Sequence, residues 1–203
     1  MSRKVFDKLT STAGLVLVVV LAVAGGLLMW GYSFANSNVH SQLSMQQIYF
    51  PPKAAFADAK PGTEITPNMI PTVSQYAGEQ LLTGRQAEVY ANHFIAQHLY
   101  DMPYHGVYSK ISTAAMANPK DAELAALKQV SFMGTVLRGM LLTAYAFSMI
   151  ATILFWGAIA AWVGAVLLTA LVALGYRHAS KTRGETRLFA ATGAQDRPEI
   201  SIS

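Results

Sequence analysis

The chain has 203 residues, 15 basic and 11 acidic, with 53% apolar side chains and no cysteine. Only 13% are charged, about half the share of roughly a quarter typical of soluble domains, which excludes a disordered, nucleic-acid-binding or ordinary soluble class. Lack of cysteine excludes disulfides, thiolate metal sites, iron–sulfur clusters and covalent c-type haem.

The charges are unevenly placed. Residues 37–138 hold seven basic and seven acidic groups, so the net +4 resides in the tails. Arg3, Lys4 and Lys8 precede the first apolar run; Arg177, Lys181, Arg183, Arg187 and Arg197 follow the last. In chain order, residues 1–12 form a short basic tail and residues 13–33 a first transmembrane helix. The uncharged run from 13 to 32 is long enough to cross a hydrocarbon core of about 30 Å. It ends at Trp30 and Tyr32, whose rings favour the headgroup layer. A secretory signal is the alternative, because Ser33-Phe34-Ala35 has the small-x-small form of a cleavage site, but this run exceeds the usual h-region of about 7–15 residues.

Residues 34–138 are expected outside the membrane, as a mainly helical domain. The first helix should continue from Phe34 to about Gln47 and stop before Pro51-Pro52. Five prolines between 51 and 71 predict an irregular proline-rich arm over 51–78, packed down through Ile48, Tyr49, Phe50, Phe56, Ile65, Met69 and Ile70. A helix over 84–100 comes next. Thr83 and Gln86 make a capping box, and Ala87, Tyr90, Ala91, Phe94, Ile95, His98 and Leu99 mark one apolar face. Pro103 ends it.

A second long helix is predicted to start near residue 119, with Asn118 as N-cap and Pro119 in the first helical position. Its seam is Leu127, Val130, Gly134, Leu137, Leu141 and Ala144, at alternating steps of three and four. From Gly139 to Tyr176 there is no charge over 38 residues, about 57 Å of helix. A helical hairpin and a single long helix both fit that length. The middle, Ile153 to Ala158, has poor turn chemistry. Two basic tails also call for an even number of spans, with both termini cytoplasmic. The expectation is therefore one helix: residues 119–138 in the outer domain, 139–152 at the outer membrane face, and 153–176 as the second span. Residues 177–203 form a basic cytoplasmic tail. The fold class is all-α with two transmembrane helices.

Candidate chemistry is sparse. His93, His98 and His105, interleaved with tyrosines, suggest a divalent metal or copper site. Yet His93 and His98 are five apart, about 140° around a regular helix, and no E-x-x-H or H-E-x-x-H pattern accompanies them. His98 also lies on the apolar face. No nucleophile elbow or phosphate loop occurs, so no catalytic residue and no cofactor are expected. Neither span carries an ionisable residue, which argues against an ion path. Small residues four apart, Ala22 with Gly26 and Gly157 with Ala161 and Ala165, offer close-approach faces for helix association. The basic residues named in the tails orient the chain and meet anionic headgroups.

Gly84-Arg85-Gln86-Ala87, Tyr90 through Ile95, His98-Leu99 and Tyr108-Ser109, with Ile48-Tyr49-Phe50-Pro51 after a first span, give the chain a texture over residues 15–175. In it the chain resembles uncharacterised two-span membrane proteins of actinobacteria. The resemblance implies a two-span architecture and brings no activity to these residues. Ring-cleaving dioxygenase chemistry, a label some of those proteins carry, would need a compact two-His, one-carboxylate set. The expected function is a non-catalytic accessory, assembly or scaffold subunit, in contact with the bilayer and with a protein partner or second copy. The alternative is an extracytoplasmic ligand or metal binder using His93, His98 and His105.

Overall fold

The computed structural model describes residues 3–181, the side chains of residues 3, 4, 7, 8, 179 and 181 excepted. Of the tail charges, Arg183 and Arg187 thus lie outside the described residues, as do the side chains of Arg3, Lys4, Lys8 and Lys181. The described chain is helical throughout, with one isolated antiparallel bridge between Tyr49 and Gln80. Helix α1 spans Arg3–Gln46, α2 Lys53–Ala57, α3 Ile70–Val73, α4 Gly84–Val89, α5 Ala96–Asp101, α6 Tyr108–Ala117 and α7 Ala122–Lys181.

The described residues divide into two compact units, one within 3–27 and 157–181, the other 28–156. In the first, α1 and α7 run antiparallel in close contact. Gly14 faces Val172, Leu21 lies 3.6 Å from where a Gly164 side chain would begin, and the Trp162 indole covers Gly25. Ser11, only 6% exposed, sits against Gly175, and the Thr12 and Tyr176 hydroxyls are 3.0 Å apart. Small residues permit this approach. The remaining circumference is apolar and exposed: Val16, Val20, Val23 and Leu27 on α1, Val166, Leu167 and Leu171 on α7. Both helices are long and apolar enough to cross a membrane, over Leu9–Gln46 and Ala122–His178. Only 6% and 17% of their most apolar windows are buried.

Residues 28–156 form a helical core. Val39 and Leu43 of α1, Ala87 and Val89 of α4, Ile95 and, from α7, Leu141 are buried together. The first helix stops at Gln46, as the prolines require; Gln47 adopts φ 52° and its amide donates to the Ser44 carbonyl at 3.3 Å. The arm is packed down through Phe50, Phe56, Ile65, Met69 and Val73, while Tyr49 and Ile70 stay exposed. Irregular chain over 58–66 is flanked by short helical turns, and Pro67 and Pro71 sit in first turns, where their missing N–H leaves no bond unmade. Residues 48–51 pair with 78–81 through Phe50 N–H to Glu79 O and Leu81 N–H to Ile48 O, both 2.9 Å.

The capping box forms in full, with Thr83 Oγ1 accepting from the Gln86 amide at 3.2 Å and Gln86 Oε1 from the Thr83 amide at 3.0 Å. From there α4 continues to Asp101 through a π-helical segment, Tyr90–Ile95. This composite helix runs antiparallel to α7: Gly84 abuts Ser148, Asn92 meets Arg138, and Leu99 packs on Gly134. The seam on α7 passes through Leu137, Leu141 and Ala144, but Val130 is 50% exposed and Ser131 is buried in its place.

Two local expectations need correction. The long helix begins at Ala122, because the Asp121 carboxylate accepts from both the Glu123 and Leu124 amides at 3.0 Å. Asn118 instead terminates α6, its side-chain amide donating to Ala114 O at 3.1 Å. The hairpin alternative is excluded, since α7 is one continuous helix of 60 residues.

The Gly84–Ser148 contact leaves no room for a methyl group. Gly84→Ala is expected to lower the stability of the central unit by about 1–3 kcal/mol, and adding Ser148→Gly should restore part of the loss. Thermal melts of both variants in detergent check this; equal melting of Gly84→Ala and the parent would contradict it.

Candidate functional site

The composite helix Gly84–Asp101 and the turn after it gather the polar side chains of the central unit. A π segment holds one residue more per turn than an α-helix and so shifts the phase of the residues after it. An aromatic ladder runs along this helix at four-residue steps. Phe50 meets Tyr90 at 5.3 Å, Tyr90 meets Phe94 at 4.7 Å, and Phe94 meets His98 at 4.5 Å. Burial raises the Tyr90 phenol above its ordinary value of 10.0, and the Glu64 carboxylate adds to the rise.

The same segment presents Asn92 to α7. Its amide oxygen accepts from Arg138 Nη2 at 2.9 Å, and its amide nitrogen donates to Glu88 Oε1 at 2.9 Å. Glu88 and Arg138 are thus linked through a neutral relay. Among the described residues Arg138 makes no ion pair, and its Nε is buried without an acceptor.

The three histidines do different things. His98 Nδ1 donates to Phe94 O at 2.8 Å, and His105 Nδ1 donates to Tyr100 O at 3.0 Å. A carbonyl only accepts, so each ring uses Nδ1–H for its own backbone. His93 is half-buried on the π segment. Among the described residues no three His, Asp or Glu side chains come close enough to hold a metal ion.

Pro103 ends the helix by holding Met102 extended at ψ 156°. A left-handed turn comes next: Tyr104 at φ 59°, His105 at φ 52° and Gly106 at φ 64°. Each non-glycine residue in that region costs about 1–2 kcal/mol, so the turn persists only where its surroundings hold it. Buried Ser131 does so by donating to Gly106 O at 2.7 Å; glycine is needed at 106 because a Cβ there would collide with the Leu99 carbonyl. The His105 ring stacks on Tyr100 with centroids 4.5 Å apart and planes at 19°.

Of the small-residue faces, Ala165 is buried while Gly157 and Ala161 are half-buried. Ala22 and Gly26 are exposed, and a Cβ on Gly26 would meet nothing within 4 Å. Arg177 is exposed near the end of α7. Sequence reasoning passed over Arg138, Asn92 and Ser131. One signal was available: Arg138 is the last charge before 38 uncharged residues, a costly place for a side chain with no task.

No known protein family, curated protein or solved structure matches the chain.

Tyr90 ties the ladder to alkaline stability. Its contribution is fully present below its unfolded value of 10.0 and is lost as pH rises through the raised folded value. The parent should therefore lose melting temperature between about pH 9 and about pH 11 more steeply than Tyr90→Phe. Parallel melts at the two pH values would contradict this if both proteins declined alike.

Proposed function

We propose that the chain is a two-span integral membrane protein with both termini cytoplasmic and residues 34–152 extracytoplasmic. It acts there as a non-catalytic accessory, assembly or scaffold subunit. The observation that carries the reading is the exposed apolar circumference of the paired α1 and α7, around Val16, Val20, Val23, Val166, Leu167 and Leu171. Only lipid or another apolar helix covers such a surface without cost. Aromatic side chains support the level of one interface, with Tyr32 and Phe155 in ring contact at 5.1 Å and Trp30 and Trp156 exposed beside them. From Ile153 to Tyr176, 24 residues give about 36 Å of helix, enough for a core of about 30 Å. The basic flanks at Arg3, Lys4, Lys8 and at Arg177, Lys181, Arg183, Arg187 support the orientation.

The accessory role is supported by what the helices do beyond the spans. α1 continues to Gln46 and α7 begins at Ala122, so both supply walls of the central core. The exposed Ala22–Gly26 face is left for a companion helix, since α1 pairs with α7 through Gly14 and Gly25.

Gentle affinity purification from native membranes, followed by native mass determination, should yield a stoichiometric companion or second copy. Ala22→Leu with Gly26→Leu should reduce its recovery about fivefold or more, as expected for loss of about 1–2 kcal/mol of helix association, without lowering the melting temperature. Gly25→Leu should instead displace Trp162 and destabilise the chain itself. A lone monomer from native membranes would count against the accessory role.

A further inference from the structure

The left-handed turn forms one wall of a cleft of about 300 Å³ in the central unit. Leu99, Tyr100, His105 and Gly106 line it from the turn side, and Thr135 and Arg138 from α7. No carboxylate lines it. The arginine brings a charge that the Asn92 relay positions without neutralising, and one guanidinium N–H has no acceptor. His105 has Nδ1 engaged by Tyr100 O, which leaves Nε2 as its ring nitrogen for a ligand. Backbone strain at Tyr104 and His105 is held in place by Ser131, and strain of this kind gathers at ligand clamps.

We propose that this cleft binds a small organic anion headed by a carboxylate or phosphate. The head lies at Arg138 and Thr135, and a short planar or apolar body lies against the Tyr100–His105 stack and Leu99. A guanidinium suits either head group, and about 300 Å³ is the small end of the range for ligand sites. The ligand is a solute and not a lipid head group. Arg138 precedes Ile153 by 15 residues, about 22 Å along α7, whereas the headgroup layer is about 5–8 Å deep on each side. That choice of source rests on the two-span reading; the cleft chemistry does not.

The test is calorimetric titration of the full chain, reconstituted in phosphatidylcholine nanodiscs, with benzoate and with inorganic phosphate. At least one probe should bind saturably at one per chain. Arg138→Gln should weaken it about tenfold or more, the usual effect of losing a hydrogen bond to a charged group. Because Arg138 also holds Asn92, Thr135→Val, at an exposed position, serves as the variant that keeps the fold and should weaken binding severalfold at an unchanged melting temperature; His105→Ala should weaken binding severalfold while also losing its Tyr100 contacts. Absence of saturable binding by both probes overturns the proposal, as does binding that neither His105→Ala nor Thr135→Val alters. Binding seen only when phosphatidylglycerol replaces phosphatidylcholine assigns the cleft to lipid head groups and overturns the solute ligand. Failure of the chain to enter nanodiscs would refute the two-span reading, and the same titration in buffer would still decide the cleft.

Discussion

In the bilayer proposed for them, two apolar helices gain nothing from hiding more apolar surface and must hold together by fit, and the rest of this architecture depends on that. Between α1 and α7 the fit is supplied by glycine and small side chains: Ser11 against Gly175, Gly14 against Val172, Gly25 beneath the Trp162 indole. Dispersion contacts are individually tiny and fall away steeply with distance, so one methylene inserted at Gly25 separates surfaces that have no other reason to stay joined. The same economy appears in the central unit, where Gly84 and Gly134 let the composite helix approach α7.

Polar interactions there are few and placed with purpose. The capping box closes the start of α4, Asp121 closes the start of α7, and Ser131 holds the left-handed turn. The Glu88–Asn92–Arg138 relay uses an amide to bring a carboxylate and a guanidinium into one network. Asn92 lies on the π segment, which also carries Tyr90 and Phe94 of the aromatic ladder that runs on to His98.

Where the local chemistry is decisive, the fold is legible in the sequence. Thr83 and Gln86 announce their cap, Pro51-Pro52 bring α1 to an end, and the middle of the last apolar run has poor turn chemistry, in keeping with an unbroken α7. Where competing local signals have similar strength, tertiary context chooses. Asn118-Pro119 and Asp121 are both good helix starts; the Asp121 carboxylate wins by accepting two amides. Gly25 and Gly26 are adjacent, about 100° apart around the helix, and only the partner decides which of them is buried. The turn at Tyr104–Gly106 has no local cause strong enough to predict it, because the contact that stabilises it comes from Ser131, 25 residues away. For the same reason the cleft beside it was hidden, while His98 and His105, which stand out in the sequence, turn Nδ1 to their own backbone.

The central claim is that α1 and α7 cross a bilayer with their outer parts on one side and both ends of the chain on the other. Since the chain contains no cysteine, single-cysteine variants report each site without background. A membrane-impermeant maleimide applied to intact cells should label the Asn118→Cys variant at once. It should label the His178→Cys variant only after the membrane is opened. Equal labelling of both variants in intact cells, or release of the protein by an alkaline wash of the membranes, would contradict the account.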